Sequence, residues 1–223
     1  MYPRSIVMRA LEKRLDIIGI CDHNAGENVY YVQQAAKNLP IVVLPGMELT
    51  SSEEVHTLAL FDNLDALMKL QKLVYQHLPG INDENVFGCQ AVVNEIDEVE
   101  AFNEHLLIGA TDISIKELIG HIHDLGGLAI ASHIDRESFS AISQLGFISN
   151  DMPFDALEVS VRMGLHNARF RYPDLNRRTF IVSSDAHFVQ DIGRGYTEIV
   201  LGGASIQELK MALECQQGRY VRE

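Results

Sequence analysis

Short apolar runs alternate with longer stretches of helical period along most of the chain. Apolar positions over residues 6–15 recur with the spacing of an amphipathic helix, and Asp16-Ile-Ile-Gly-Ile-Cys21 follows at once. That run is bounded by polar residues, and it predicts a strand buried on both faces. A helix over about 26–38 precedes a second buried strand at 41–44; residues 55–61 predict a third strand and 63–77 an amphipathic helix. Ser114-Ile-Lys-Glu117 has the spacing of a capping box for a helix over 115–125 that Gly126-Gly127 stops, with a strand at 128–131 after it. Residues 156–160 and 179–183 predict further strands, and Ser205-Ile-Gln-Glu208 caps a last helix ending near Gly218. Strands separated by helices imply βα units and a mostly parallel sheet or barrel.

With 223 residues the chain holds one sizeable core rather than two, so a single domain over 1–223 is expected. Apolar residues make up 47% and charged residues 22%, the composition of a globular protein. No apolar run approaches the roughly 18 residues of a membrane span, and the N-terminus lacks the apolar block of a secretory signal. Cys21, Cys89 and Cys215 form no CxxC and read as reduced thiols, which points to the cytoplasm. A net charge of −13 repels phosphate backbones, so duplex nucleic acid and membranes are not expected partners. Between Lys72 and Lys116 there is no Lys or Arg, and eight acids fall there; a solvated acidic insertion at about 80–112 is expected.

The chemistry gathers at strand ends: Cys21-Asp22-His23-Asn24, Pro45-Gly46-Met47-Glu48, His56, Ser132-His133 and Ser183-Ser184-Asp185-Ala186-His187. In parallel α/β folds that edge is where loops converge and ligands bind. Imidazoles and carboxylates at one rim suit a borderline divalent cation such as zinc, manganese or iron. Asp185 and His187 are two apart, so in an extended segment they project to the same side. No GxGxxG follows a strand and no GxSxG occurs, which leaves dinucleotide binding and serine hydrolysis without support.

The motifs IxxICDHN, LPGMELTSSEEVH, AIASHID and SSDAH resemble, in order, those of the PHP (polymerase and histidinol phosphatase) metal-dependent phosphoesterases. The resemblance covers roughly residues 16–200 and implies a distorted (βα)7 TIM-like barrel with up to three metal ions at its C-terminal rim. It implies metal binding by His23, Glu48, His56, His133, Asp185 and His187, with Asp22 orienting a ligand or water without binding metal itself. The family's opening His-x-His strand is absent here, which implies a barrel missing its first strand and one metal or none in this chain. His121-Ile-His123 is no substitute, because residues two apart on a helix point to different faces. Met1 is then either an internal methionine of a longer enzyme or the start of a shortened relative.

The implied reaction is hydrolysis of a small phosphate monoester, of nucleotide or sugar phosphate type, by a metal-activated water. Arg136, Arg162 and Arg194 are the candidates for binding its phosphate. Two alternatives stay open: a nuclease or nucleoside bisphosphate phosphatase acting on short oligonucleotides, and a catalytically impaired metal-binding regulatory barrel. The unpaired edge of the strand over 16–21 also favours a homo-oligomer.

Overall fold

The computed structural model describes residues 1–149 and 151–222. The helices are α1 (Pro3–Glu12), α2 (Glu27–Ala35), α3 (Leu64–His77), α4 (Glu84–Phe87), α5 (Ile115–Asp124), α6 (Ala141–Leu145), α7 (Gly164–Arg171) and α8 (Ile206–Leu213). The strands are β1 (Ile17–Ile20), β2 (Val42–Thr50), β3 (His56–Leu60), β4 (Ala91–Val93), β5 (Val99–Phe102), β6 (Leu128–Ala131), β7 (Ala156–Val159), β8 (Phe180–Val182), β9 (Ile199–Val200) and β10 (Tyr220–Val221). Six of them form one sheet in the order β1-β2-β3-β6-β7-β8, curled as part of a barrel. Among the described residues no helix is long and apolar enough to cross a membrane.

The sheet is mixed, not mostly parallel. β1 pairs with β2, and β6 with β7 and β7 with β8, in parallel, but β3 runs antiparallel to both of its neighbours. The cause lies in β2, which is longer than the run at 41–44 suggests. Its first part, Val42 to Pro45, lies against β1, and its second, Gly46 to Thr50, pairs with β3. Only residues 51–55 separate β2 from β3, too few for the crossover that a parallel return needs.

Alternate residues face opposite layers. Val43, Met47 and Leu49 join the core beneath α2, α3 and α5, while Leu44, Leu128 and Ile130 pack against Leu209 and Leu213 of α8. α5 starts at the expected capping box, with the Ser114 and Glu117 side chains each closing on the other's backbone. The last helix stops at Leu213, short of the expected Gly218, because the chain turns there to pair β10 with β9. The acidic segment contains α4 and a β4–β5 hairpin tied to the body by Asn103, which donates to Glu27 (3.1 Å) and to the Tyr75 hydroxyl (2.6 Å).

A cavity of about 960 Å³ is lined by Ile17 and Gly19 of β1 and by Ile181 of β8, the two strands that end the sheet. It does not include the candidate metal residues.

Candidate metal centre

The parallel pairing of β1 with β2 continues past the strand's end and places His23 opposite Glu48. Asn24 N–H donates to the Glu48 carbonyl at 2.8 Å, and Glu48 N–H to the Asp22 carbonyl at 3.0 Å. Because β3 runs antiparallel, its first residue, His56, lies at the rim reached by the ends of β1 and β6. His133 follows β6, and Asp185 and His187 follow β8.

The result is one carboxylate among three imidazoles. His23 Nδ1 lies 3.4 Å from Glu48 Oε2; His56 Nδ1 and His133 Nε2 lie 3.3 and 3.5 Å from Glu48 Oε1. Donor atoms of His23, Glu48 and His56 all fall within 4.8 Å of one another. Ring centroids are 5.2 Å apart for His23–His56 and 5.4 Å for His56–His133, with His187 at 6.2 Å from His23. Phe139 stacks on His56 and closes one side.

Burial alone would push the Glu48 carboxyl up; contacts with His133 and His56, and the charges of His56 and His23, outweigh it and keep the carboxylate ionised. Burial lowers His23, favouring the neutral imidazole that can ligate. Buried polar atoms are ordinarily hydrogen-bonded, yet His23 Nδ1 and His133 Nδ1 are buried without such a partner. Orphaned imidazole nitrogens around an ionised carboxylate fit a divalent cation with mixed nitrogen and oxygen ligands.

The surroundings hold this set in place. Asn24, fully buried, donates to the carbonyls of Leu107 (2.9 Å) and Gly109 (2.8 Å) and accepts from Thr50 N–H (3.1 Å). Asp22 accepts from Asn28 Nδ2 at 3.0 Å. Asn24, His133 and Asp185 all have left-handed backbone, φ +48°, +28° and +42°, and such strain gathers at functional sites. The Asp185 carboxylate is ion-paired with Arg136, and Arg194 with Asp191 at 2.5 Å; Arg162 is exposed.

Glu158 escaped the sequence reading. It lies on β7, 3% exposed; it accepts from His133 N–H at 3.1 Å and from the Ser183 hydroxyl, and burial pushes its carboxyl up. The signal was a carboxylate in the middle of the apolar run 156–160. His123 lies at the opposite rim, bound to Asp155 at 2.8 Å, while His77 pairs with Asp112 and His105 stacks on Tyr75. His166 is exposed on α7.

One cleft opens beside the centre and a second adjoins it. The first, of about 310 Å³, is lined by His133, Glu158, Asp185, Arg136, Arg162 and Arg194 among others. The second, of about 950 Å³, shares Arg136, Ser160 and Arg162 with it and extends to Phe170 and Arg171 on α7.

The PHP-associated family model matches residues 170–217. The uncharacterised protein YqxK of Bacillus subtilis is 30% identical over 105 residues, which is 45% of this chain and 27% of that protein. The lesion-specific endonuclease PfuEndoQ of Pyrococcus furiosus superposes with a TM-score of 0.74 at 15% identity, over 99% of this chain and 53% of its own. A structure of Endonuclease Q with a 27-mer duplex carrying an abasic lesion gives 0.70 at 14%, over 99% and 53%. A proposed metal-dependent phosphoesterase from Bifidobacterium adolescentis gives 0.57 at 18%, over 96% of this chain and 90% of that one. This chain therefore spans about a quarter of YqxK and about half of the endonuclease chains.

Proposed function

We propose that this PHP-family chain is a metal-dependent hydrolase of phosphate esters, with His23, Glu48, His56 and His133 holding the cation and Asp185 and His187 beside them. The single observation that carries the reading is the buried Glu48 carboxylate, met at 3.3 to 3.5 Å by three imidazole nitrogens. A divalent cation bound there supplies Lewis acidity and acidifies water. Glu158 accepts from the His133 backbone N–H and the Ser183 hydroxyl, so it ties the end of β6 to the end of β8 beside the centre. Arg136 and Arg194 line the adjoining cleft and offer cationic N–H donors to anionic ester oxygens.

Hydrolysis of a small phosphomonoester is supported by the size of the inner cleft, at the low end of what one small ligand fills. The outer cleft favours a longer ester, as in the nuclease alternative. The test measures hydrolysis of p-nitrophenyl phosphate and bis(p-nitrophenyl) phosphate with Mn²⁺ or Zn²⁺. Turnover lost with chelator, regained with metal and absent in Glu48→Gln is the expected result. Bound metal with no turnover of either ester overturns the reading in favour of an impaired regulatory barrel.

A further inference from the structure

We infer that the outer cleft binds a single strand of nucleic acid, with α7 contributing both a base platform and phosphate contacts. Acids outnumber bases across the chain, yet residues 162–178 contain five arginines against one acid, Asp174. Two of these arginines serve the fold. Arg178 donates to the carbonyls of Ser149, Met152 and Phe154, and Arg169 lies 5.3 Å from the Phe180 ring centroid.

Arg162 and Arg171 make neither kind of contact, although Arg171 lies beside the Tyr172 hydroxyl. Both line the outer cleft, and neither is ion-paired among the described residues. Arg136 and Arg194, by contrast, already face Asp185 and Asp191. Arg162 and Arg171 supply the unpaired cations of the cleft, whose lining also holds the acids Asp135, which accepts from the Ser160 N–H and hydroxyl, and Glu137.

Phe170 decides which kind of ligand suits that cleft. It is 89% exposed and lines the same cleft, next to Arg171. α7 buries only Ala168, so the fold makes no use of the ring. An exposed aromatic lining the same cleft as two guanidinium groups offers a face on which an unpaired base stacks while cations meet the backbone. A base inside a duplex is already stacked on both sides and cannot offer its face to Phe170. The outer cleft is about three times the inner one, about 950 Å³ against 310 Å³.

The inference rests on the phosphoester reading for the direction of the strand, with a backbone phosphate at Arg136, but its binding can be measured without catalysis. The experiment is fluorescence anisotropy of the full chain with a labelled 12-mer oligothymidine in chelator, across a salt series. Wild type should bind with log affinity falling linearly in log salt. Arg162→Glu and Arg171→Glu should each weaken binding and flatten that slope by about 0.7 for each phosphate no longer neutralised.

Phe170→Ala should weaken binding roughly tenfold with the slope unchanged, as loss of one stacked base requires. It should leave the affinity for a strand of abasic sugar-phosphates as it was. Arg222→Glu changes the net charge by the same amount as the other reversals but lies on the separate cavity at β1 and β8; it should bind like wild type. Binding weakened equally by Arg222→Glu, unaffected by Phe170→Ala, or tighter to the matching duplex overturns the inference. The metal reading fails separately, when the esters are not hydrolysed although the strand binds as expected.

Discussion

Replacing Glu48 with Gln removes the one anion that His23, His56 and His133 share while keeping its shape. The residue is 5% exposed, so no solvent molecule easily takes the missing place. A ligand that binds only the folded chain stabilises it by RT ln(1 + [L]/Kd). At a Zn²⁺ or Mn²⁺ concentration a hundred times the wild-type dissociation constant, set beforehand by titration, that is about 2.7 kcal/mol. For a chain of this length it corresponds to a rise of roughly 5–11 °C in Tm. Loss of groups that merely orient metal ligands weakens affinity 10- to 100-fold, so loss of the carboxylate itself should reach about 100-fold. At the same metal concentration the variant is then only half saturated, and the gain falls to about 0.4 kcal/mol, or roughly 1–2 °C. Differential scanning fluorimetry with metal and with chelator measures the difference within each protein, so any effect on the empty fold cancels. Equal metal-induced shifts in Glu48→Gln and wild type would refute the assignment of the carboxylate as a ligand.

Other expectations come from the packing around the centre. Asn24→Ala strands two carbonyls and the Thr50 N–H in a buried loop, so unfolding in urea should show a loss of about 2–4 kcal/mol. Gly46→Ala puts a methyl group 2.6 Å from Cys21 Sγ and 2.9 Å from the Ile20 carbonyl, overpacking the β1–β2 junction. The cost should be about 1–3 kcal/mol, and Cys21→Ala should relieve only part of it, because the carbonyl remains. Burial and the nearby Glu48 and Asp22 carboxylates push the Cys21 thiol up, whereas Cys89 and Cys215 are exposed. A thiol reagent at neutral pH should therefore titrate two cysteines quickly and the half-buried Cys21 more slowly.

Much of this arrangement could be read before any coordinates. β1, β6, β7 and β8 came from short apolar runs, and α5 from its cap, because burial on both faces and a paired Ser and Glu leave plain marks in sequence. Strand direction leaves none: Val55 to Phe61 has the same composition whichever way it runs. The direction of β3 was nevertheless legible in the short 51–55 link, which allows no crossover. The rim position of His56, at a strand's start, is set by that reversal. Glu158 was missed for another reason. A charge inside an apolar strand conflicts with the pattern that found the strand, and the groups that resolve the conflict, Ser183 and the His133 backbone, come from elsewhere in the chain. Asn24 likewise reads as a turn residue until its three partners are seen.

How β2 is shared divides the donors into two groups by where their pairing strands lie in the chain. His23, Glu48 and His56 are brought together by the β1–β2 and β2–β3 pairings alone, and neither uses a residue beyond Leu60. His133 and Asp185 emerge far later, on the other side of the acidic hairpin. Three of the donors are thus set by pairings inside one stretch of the chain, and the others wait on strands from its second half.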